Sequence, residues 1–171
     1  YVYSYKWYER NVLRKRADYL IISFMKSGRT WLRVLLARIF MLKFKVNKLD
    51  IEIERYAKFN HRVPEIFFTH EFAVYKKKDF LSEIKKVKKK NKNRKAIILV
   101  RDPRDVVVSY FYDTTKRHRV AKAPKDISSF IRDKRFGIER IISYMNIWAD
   151  NRKCFSKVLF IKYEDLRSNT S

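Results

Sequence analysis

Glycine, proline and cysteine are all scarce in this chain, at two, three and one among 171 residues. The lone Cys154 rules out a disulfide within the sequence, which suits a reducing compartment and points to the cytoplasm. With so few glycines, the place of each one carries information. No apolar run reaches the roughly 18 residues that a membrane-spanning helix needs, and no charged, apolar and small-residue opening reads as a signal peptide. An anchor upstream of Tyr1 is left open. Acidic residues are the minority charge, 18 against 42 Lys and Arg, for a formal net charge of +24.

What is present is apolar: 46% hydrophobic and 16% aromatic residues give ample material for a buried core and exclude disorder for most of the chain. The length fits one domain over residues 1–171. A start at Tyr1 rather than Met, and an end at Asn169-Thr170-Ser171 with no closing element, read as truncation at both ends. The positive charge concentrates anions of any kind, so nucleic acid, anionic lipid, a nucleotide or an acidic glycan all qualify, beside the plain reading of a solvated lysine-rich surface. From Lys85 to Lys95 eight of eleven positions are Lys or Arg. No aromatic residue stands in that run to stack on bases, so it reads first as a solvated connector and only second as a nucleic-acid or membrane patch.

Apolar patterning alternates strand and helix. Tyr19 to Met25 is a strand-like run, and Thr30 to Phe40 carries apolar residues around most of a helical surface, which predicts a buried helix with Arg33 and Arg38 on whatever face meets water. Ile66–Thr69 and Lys95–Val100 read as further strands. Asp102 and Pro103 form a cap and first-turn pair for a helix to about Lys116, and Asp126 caps a short helix with Ile127, Phe130 and Ile131. Ile138, Ile141, Ile142, Met145 and Trp148 form a core stripe, and Val158 to Ile161 reads as another buried strand, ending in a turn at Tyr163-Glu164-Asp165-Leu166. This order predicts an α/β fold with a largely parallel β-sheet flanked by helices.

Two strand-to-helix junctions carry chemistry. Lys26-Ser27-Gly28-Arg29-Thr30-Trp31 places a glycine, a cation and hydroxyls at a helix start, where free backbone N–H groups favour phosphate. A Walker A loop needs an earlier glycine and Gly-Lys in that order, and neither is here, so a nucleotide kinase with bound magnesium is disfavoured. Arg101-Asp102-Pro103-Arg104-Asp105 opens the second junction, with Ser109 eight residues after Arg101. Between them, His70 follows Thr69 at a strand end, where a neutral imidazole can act as a base; His61 and His118 read as structural or exposed. No cluster of metal-ligating residues is evident, so no metal is expected.

With these motifs in order, the chain resembles the sulfotransferases that use 3′-phosphoadenosine 5′-phosphosulfate, over roughly Asp18 to Leu166. The resemblance implies a P-loop-like sulfotransferase fold and that nucleotide as co-substrate. Lys26 to Trp31 is similar to the family's 5′-phosphosulfate loop, Lys-Ser-Gly-Thr-Thr-Trp, with Arg29 in place of the first threonine. It implies that Lys26 touches the leaving phosphate and sulfuryl oxygens, that Ser27, Gly28 and Thr30 hold the 5′-phosphate, and that Trp31 lies against the adenine. Arg29 belongs to the same loop, its contact left open by the exchange. Arg101 and Ser109 stand where the family binds the 3′-phosphate, His70 where it carries its catalytic base, and Tyr163 where a tyrosine lies near the nucleotide. The family's C-terminal Arg-Lys-Gly segment does not follow Leu166. The resemblance implies a hydroxyl or amine acceptor, with small alcohols, lipids, glycans and peptides all open and the basic composition tilting slightly toward an acidic or polymeric one. The alternative class is a basic module that binds nucleic acid or another polyanion without catalysis.

Overall fold

The computed structural model describes residues 12–46, 51–71, 91 and 94–169. Four strands, β1 (Tyr19–Ser23), β2 (Ile66–Thr69), β3 (Lys95–Val100) and β4 (Lys157–Lys162), form one parallel sheet in the order β2-β1-β3-β4. Tyr19 pairs with Ile66 on one side and Lys95 on the other, and Lys95 in turn pairs with Lys157, so all four strands start level. Helix α1 (Arg29–Phe44) follows β1; α2 (Pro103–Tyr112), α3 (Ile127–Arg132) and α4 (Ile138–Asp150) lie between β3 and β4; α5 (Tyr163–Ser168) follows β4. The α/β architecture expected from the sequence is the one formed.

Alternation along the strands divides the core. Leu20 and Ile22 of β1, with Ala96 and Ile98 of β3, face Val106, Val107 and Phe111 of α2, Phe130 of α3, and Ile141, Tyr144 and Trp148 of α4. Ile21 and Leu99 face the other way, onto Leu32, Ala37 and Phe40 of α1. The connection after β1 therefore leaves over one face and that after β3 over the opposite face. Between two such diverging connections a crevice opens at the carboxyl ends of the strands, and this is where α/β sheets hold ligands.

Caps agree with the reading from sequence: Asp102 accepts from the Arg104 N–H at 2.8 Å and Asp126 from the Ser129 N–H at 2.8 Å. The helix from Pro103 passes after Tyr112 into a π-helical turn, Asp113–Arg117, closed by the His118 N–H on the Asp113 carbonyl at 2.9 Å.

Four expectations are corrected. Helix α1 is not buried all round, since only one of its faces meets the sheet; Trp31, Ile39 and Leu42 stay exposed. Strand β4 is the edge of the described sheet rather than an interior strand, and its Leu159 and Phe160 are 56% and 40% exposed. Ile142 lies off the buried stripe of α4, where Tyr144 takes the core position beside Ile141 and Trp148. Tyr163 to Leu166 begins helix α5 instead of forming a turn. Of the basic run, only Asn91, Arg94 and Lys95 fall within the described residues; Arg94 donates to the carbonyls of Arg14 and Lys15, and Lys95 lies over the Tyr19 ring at 5.2 Å.

Candidate active site

At the end of β1 the chain must turn sharply to start α1. It does so with two residues in the left-handed region, Lys26 at φ 66° and Gly28 at φ 93°. A lysine adopts that conformation only at a cost of roughly 1 kcal/mol or more, so the turn must be held from outside. Arg101, the first residue after β3, supplies the hold: its Nη1 donates to the Lys26 carbonyl at 3.3 Å. Gly28 then caps α1, and its carbonyl accepts the first helical bond from the Leu32 N–H at 3.1 Å.

Tyr163 completes this unit from the end of β4. A Cβ built on Gly28 would stand 2.2 Å from Tyr163 Cδ2, closer than any side chain tolerates. The Arg101 guanidinium lies 4.4 Å over the same ring. Glu164 accepts from the Asp102 N–H at 2.9 Å, fastening α5 to the start of α2. Lys26, Gly28, Arg101 and Tyr163, singled out separately in the sequence, are thus one contiguous cluster.

Beside it lies a cleft of about 530 Å³ lined by Lys26, Ser109, Tyr112, Asp113, Lys116 and Arg117. The Lys26 ammonium reaches across to the Asp113 carboxylate at 3.0 Å. Two polar atoms of the candidate site are buried and unpartnered: Ser27 Oγ and Arg101 Nε. Buried polar atoms are nearly always hydrogen-bonded, so idle donors beside the open N-terminus of α1 fit an anion rich in oxygen atoms. Thr30 and Trp31 sit exposed on the first turn of α1.

His70 follows β2, with its Nδ1 2.8 Å from the Ser23 carbonyl oxygen. A carbonyl only accepts, so Nδ1 carries the proton and Nε2 keeps a lone pair. Burial chiefly, and then the nearby Arg29 charge, with a smaller push from Arg33, lower the imidazole pKa from 6.5 to about 4; the Ser23 bond opposes them. The ring is therefore neutral near pH 7 and able to accept a proton. His61 is exposed, as read from the sequence, and His118 is exposed beside Asp113 at 3.6 Å.

Two participants escape a motif-based reading. Arg33 does not face water: it forms an ion pair with Glu54, with Nη1–Oε2 at 2.7 Å, and its guanidinium lies 4.1 Å over the Phe68 ring. Asp113 follows Ser109 by four residues, the spacing that puts both on one helix face, and that spacing is the signal by which it could have been found.

Comparison with known proteins gives two findings. A family model described as a sulfotransferase domain matches residues 16–171. Sulfotransferase 1E1 of Rattus norvegicus is 26% identical over 181 residues, an alignment that covers 89% of this chain and 54% of that protein. The chain thus spans about half the length of the curated relative it matches.

Proposed function

The chain belongs to the sulfotransferase domain family, and from that premise we propose that it transfers a sulfuryl group from 3′-phosphoadenosine 5′-phosphosulfate to a hydroxyl or amine acceptor. The observation that carries this reading is the contact of Arg101 with the Lys26 carbonyl at 3.3 Å, because it joins the two phosphate-type junctions into one site. In that site Ser27, Gly28, Arg29 and Thr30 face the 5′-phosphate, Arg101 and Ser109 take the 3′-phosphate, and the exposed Trp31 is available to the adenine. Tyr163 acts by seating Gly28 and stacking under Arg101.

The chemistry divides between two side chains. His70 Nε2 accepts the proton of the acceptor O–H or N–H as the acceptor atom bonds to sulfur. The bond from sulfur to the bridging phosphate oxygen breaks, and its electron pair stays on that oxygen. Lys26 meets the charge that grows there together with the N–H groups at the start of α1, whose fixed dipoles need little reorganisation. The net charge of +24, with Arg29 and Arg33 near His70, supports an acidic or polymeric acceptor.

Calorimetric titration of the full-length protein with adenosine 3′,5′-bisphosphate and with AMP tests the reading. Selective binding of the bisphosphate is expected. Equal binding of both nucleotides that fades steeply with added salt would mark a polyanion-binding module instead.

A further inference from the structure

The acid in this cleft has no place in the chemistry just described. The cleft is otherwise lined by the cations Lys26, Lys116 and Arg117, with Ser109 and Tyr112. A carboxylate among them repels an anionic ligand and competes for the lysine that should receive it. Yet Asp113 is well held. It stands where α2 turns into the π-helical segment, and its N–H is shared between the Ser109 and Tyr110 carbonyls. Lys26 Nζ sits 3.0 Å from its Oδ1, with side-chain exposures of only 29% and 17%.

We propose that Asp113 is a positioning residue for Lys26: its carboxylate parks the ammonium on the Ser109 side of the cleft and gives it up when an adenosine 3′,5′-bisphosphate group enters. This rests on the site reading above. Two further contacts make release feasible. Arg117 Nη1 and His118 Nε2 each lie 3.6 Å from the Asp113 carboxylate. When Lys26 swings away, the half-buried acid keeps a cationic neighbour, so no uncompensated charge is left behind. The lysine backbone does not have to follow, since its left-handed turn is fastened through the carbonyl by Arg101. Only the flexible side chain moves.

The test is a double-mutant cycle on the full-length protein, with the dissociation constant for adenosine 3′,5′-bisphosphate read by calorimetry. Asp113→Asn removes the competitor and is expected to tighten binding roughly two- to fivefold, the size of one partly exposed ion pair. Asp113→Glu, which keeps the acid, is expected to restore parental affinity. In a Lys26→Ala background the gain from Asp113→Asn should shrink to less than about twofold. Unchanged or weaker binding by a natively melting Asp113→Asn protein overturns the proposal. So does an equal gain without Lys26, which would make Asp113 a diffuse charge rather than a partner.

Should Asp113→Asn not fold, carbon-detected NMR of the parent decides. The Asp113 carboxylate signal is expected to shift on saturation with the nucleotide, and a stationary signal refutes the parking role. A parent that does not bind the bisphosphate at all removes the functional reading itself. Parental binding with an indifferent Asp113→Asn removes only this one.

Discussion

Gly28 and Tyr163 exclude each other's alternatives: the tyrosine ring occupies the space a Cβ on residue 28 would need, 2.2 Å from Cδ2. The glycine is thus required twice, once by its φ of 93° and once by its neighbour from the far end of the chain. Gly28→Ala is expected to destabilise the fold by about 2 to 4 kcal/mol, combining positive-φ strain with overpacking. Adding Tyr163→Ala should recover the overpacking part but not the strain. Urea unfolding of the single and double variants checks this, and full recovery in the double variant would remove the backbone argument.

The pH profile follows from His70. In the base role proposed for it His70 works in its neutral form, and its pKa lies at about 4 rather than 6.5, so kcat/KM should stay level from neutral pH downward and fall only near pH 4. Arg29→Gln is expected to move that acid limb upward yet leave it below 6.5, because burial outweighs the arginine. A limb at 6.5 in the parent protein would contradict the buried, cation-flanked placement.

Stability carries the same signature. Between about 4 and 6.5 the unfolded chain binds a proton at His70 that the folded chain refuses. Stability therefore falls as pH drops through that window and is fully present above 6.5, with up to roughly 3 kcal/mol attributable to this group. Comparing the denaturant midpoint of the parent with that of His70→Asn at pH 7 and pH 4.5 isolates it. The parent should lose more on acidification.

Arg101 joins the two junctions with a planar fork and a stacking face, which an ammonium lacks. Arg101→Lys should weaken adenosine 3′,5′-bisphosphate binding by roughly ten- to a hundredfold. Calorimetry reads it directly, and affinity equal to the parent's would separate Arg101 from the proposed nucleotide site.

Helix α4 and strand β4 predict unequal mutational costs despite similar hydrophobicity in sequence. Trp148 is 1% exposed, so Trp148→Ala should cost about 3 to 5 kcal/mol. Leu159, on the sheet edge and 56% exposed, should cost less than about 1 kcal/mol on the same change. Thermal unfolding of the two variants is sufficient.

How far the sequence reaches can be judged from these particular residues. The alternation of strand and helix, the caps at Asp102 and Asp126 and the order of the two junctions depend on side chains within a few positions of one another, and local backbone chemistry is the same in any fold. The four strands and the parallel α/β order were therefore legible directly, while Lys26, His70, Arg101 and Ser109 became candidates with the help of the family resemblance. Neighbours distant along the chain were not. That β4 is an edge, that Arg33 turns inward to Glu54 and Phe68, that Tyr163 seats Gly28, and that Asp113 takes the ammonium of Lys26 all depend on which strand lies beside which. Apolar runs say that a segment seeks burial but not how many of its faces find it. Only the sheet order, with β1 between β2 and β3, brings those groups within contact distance.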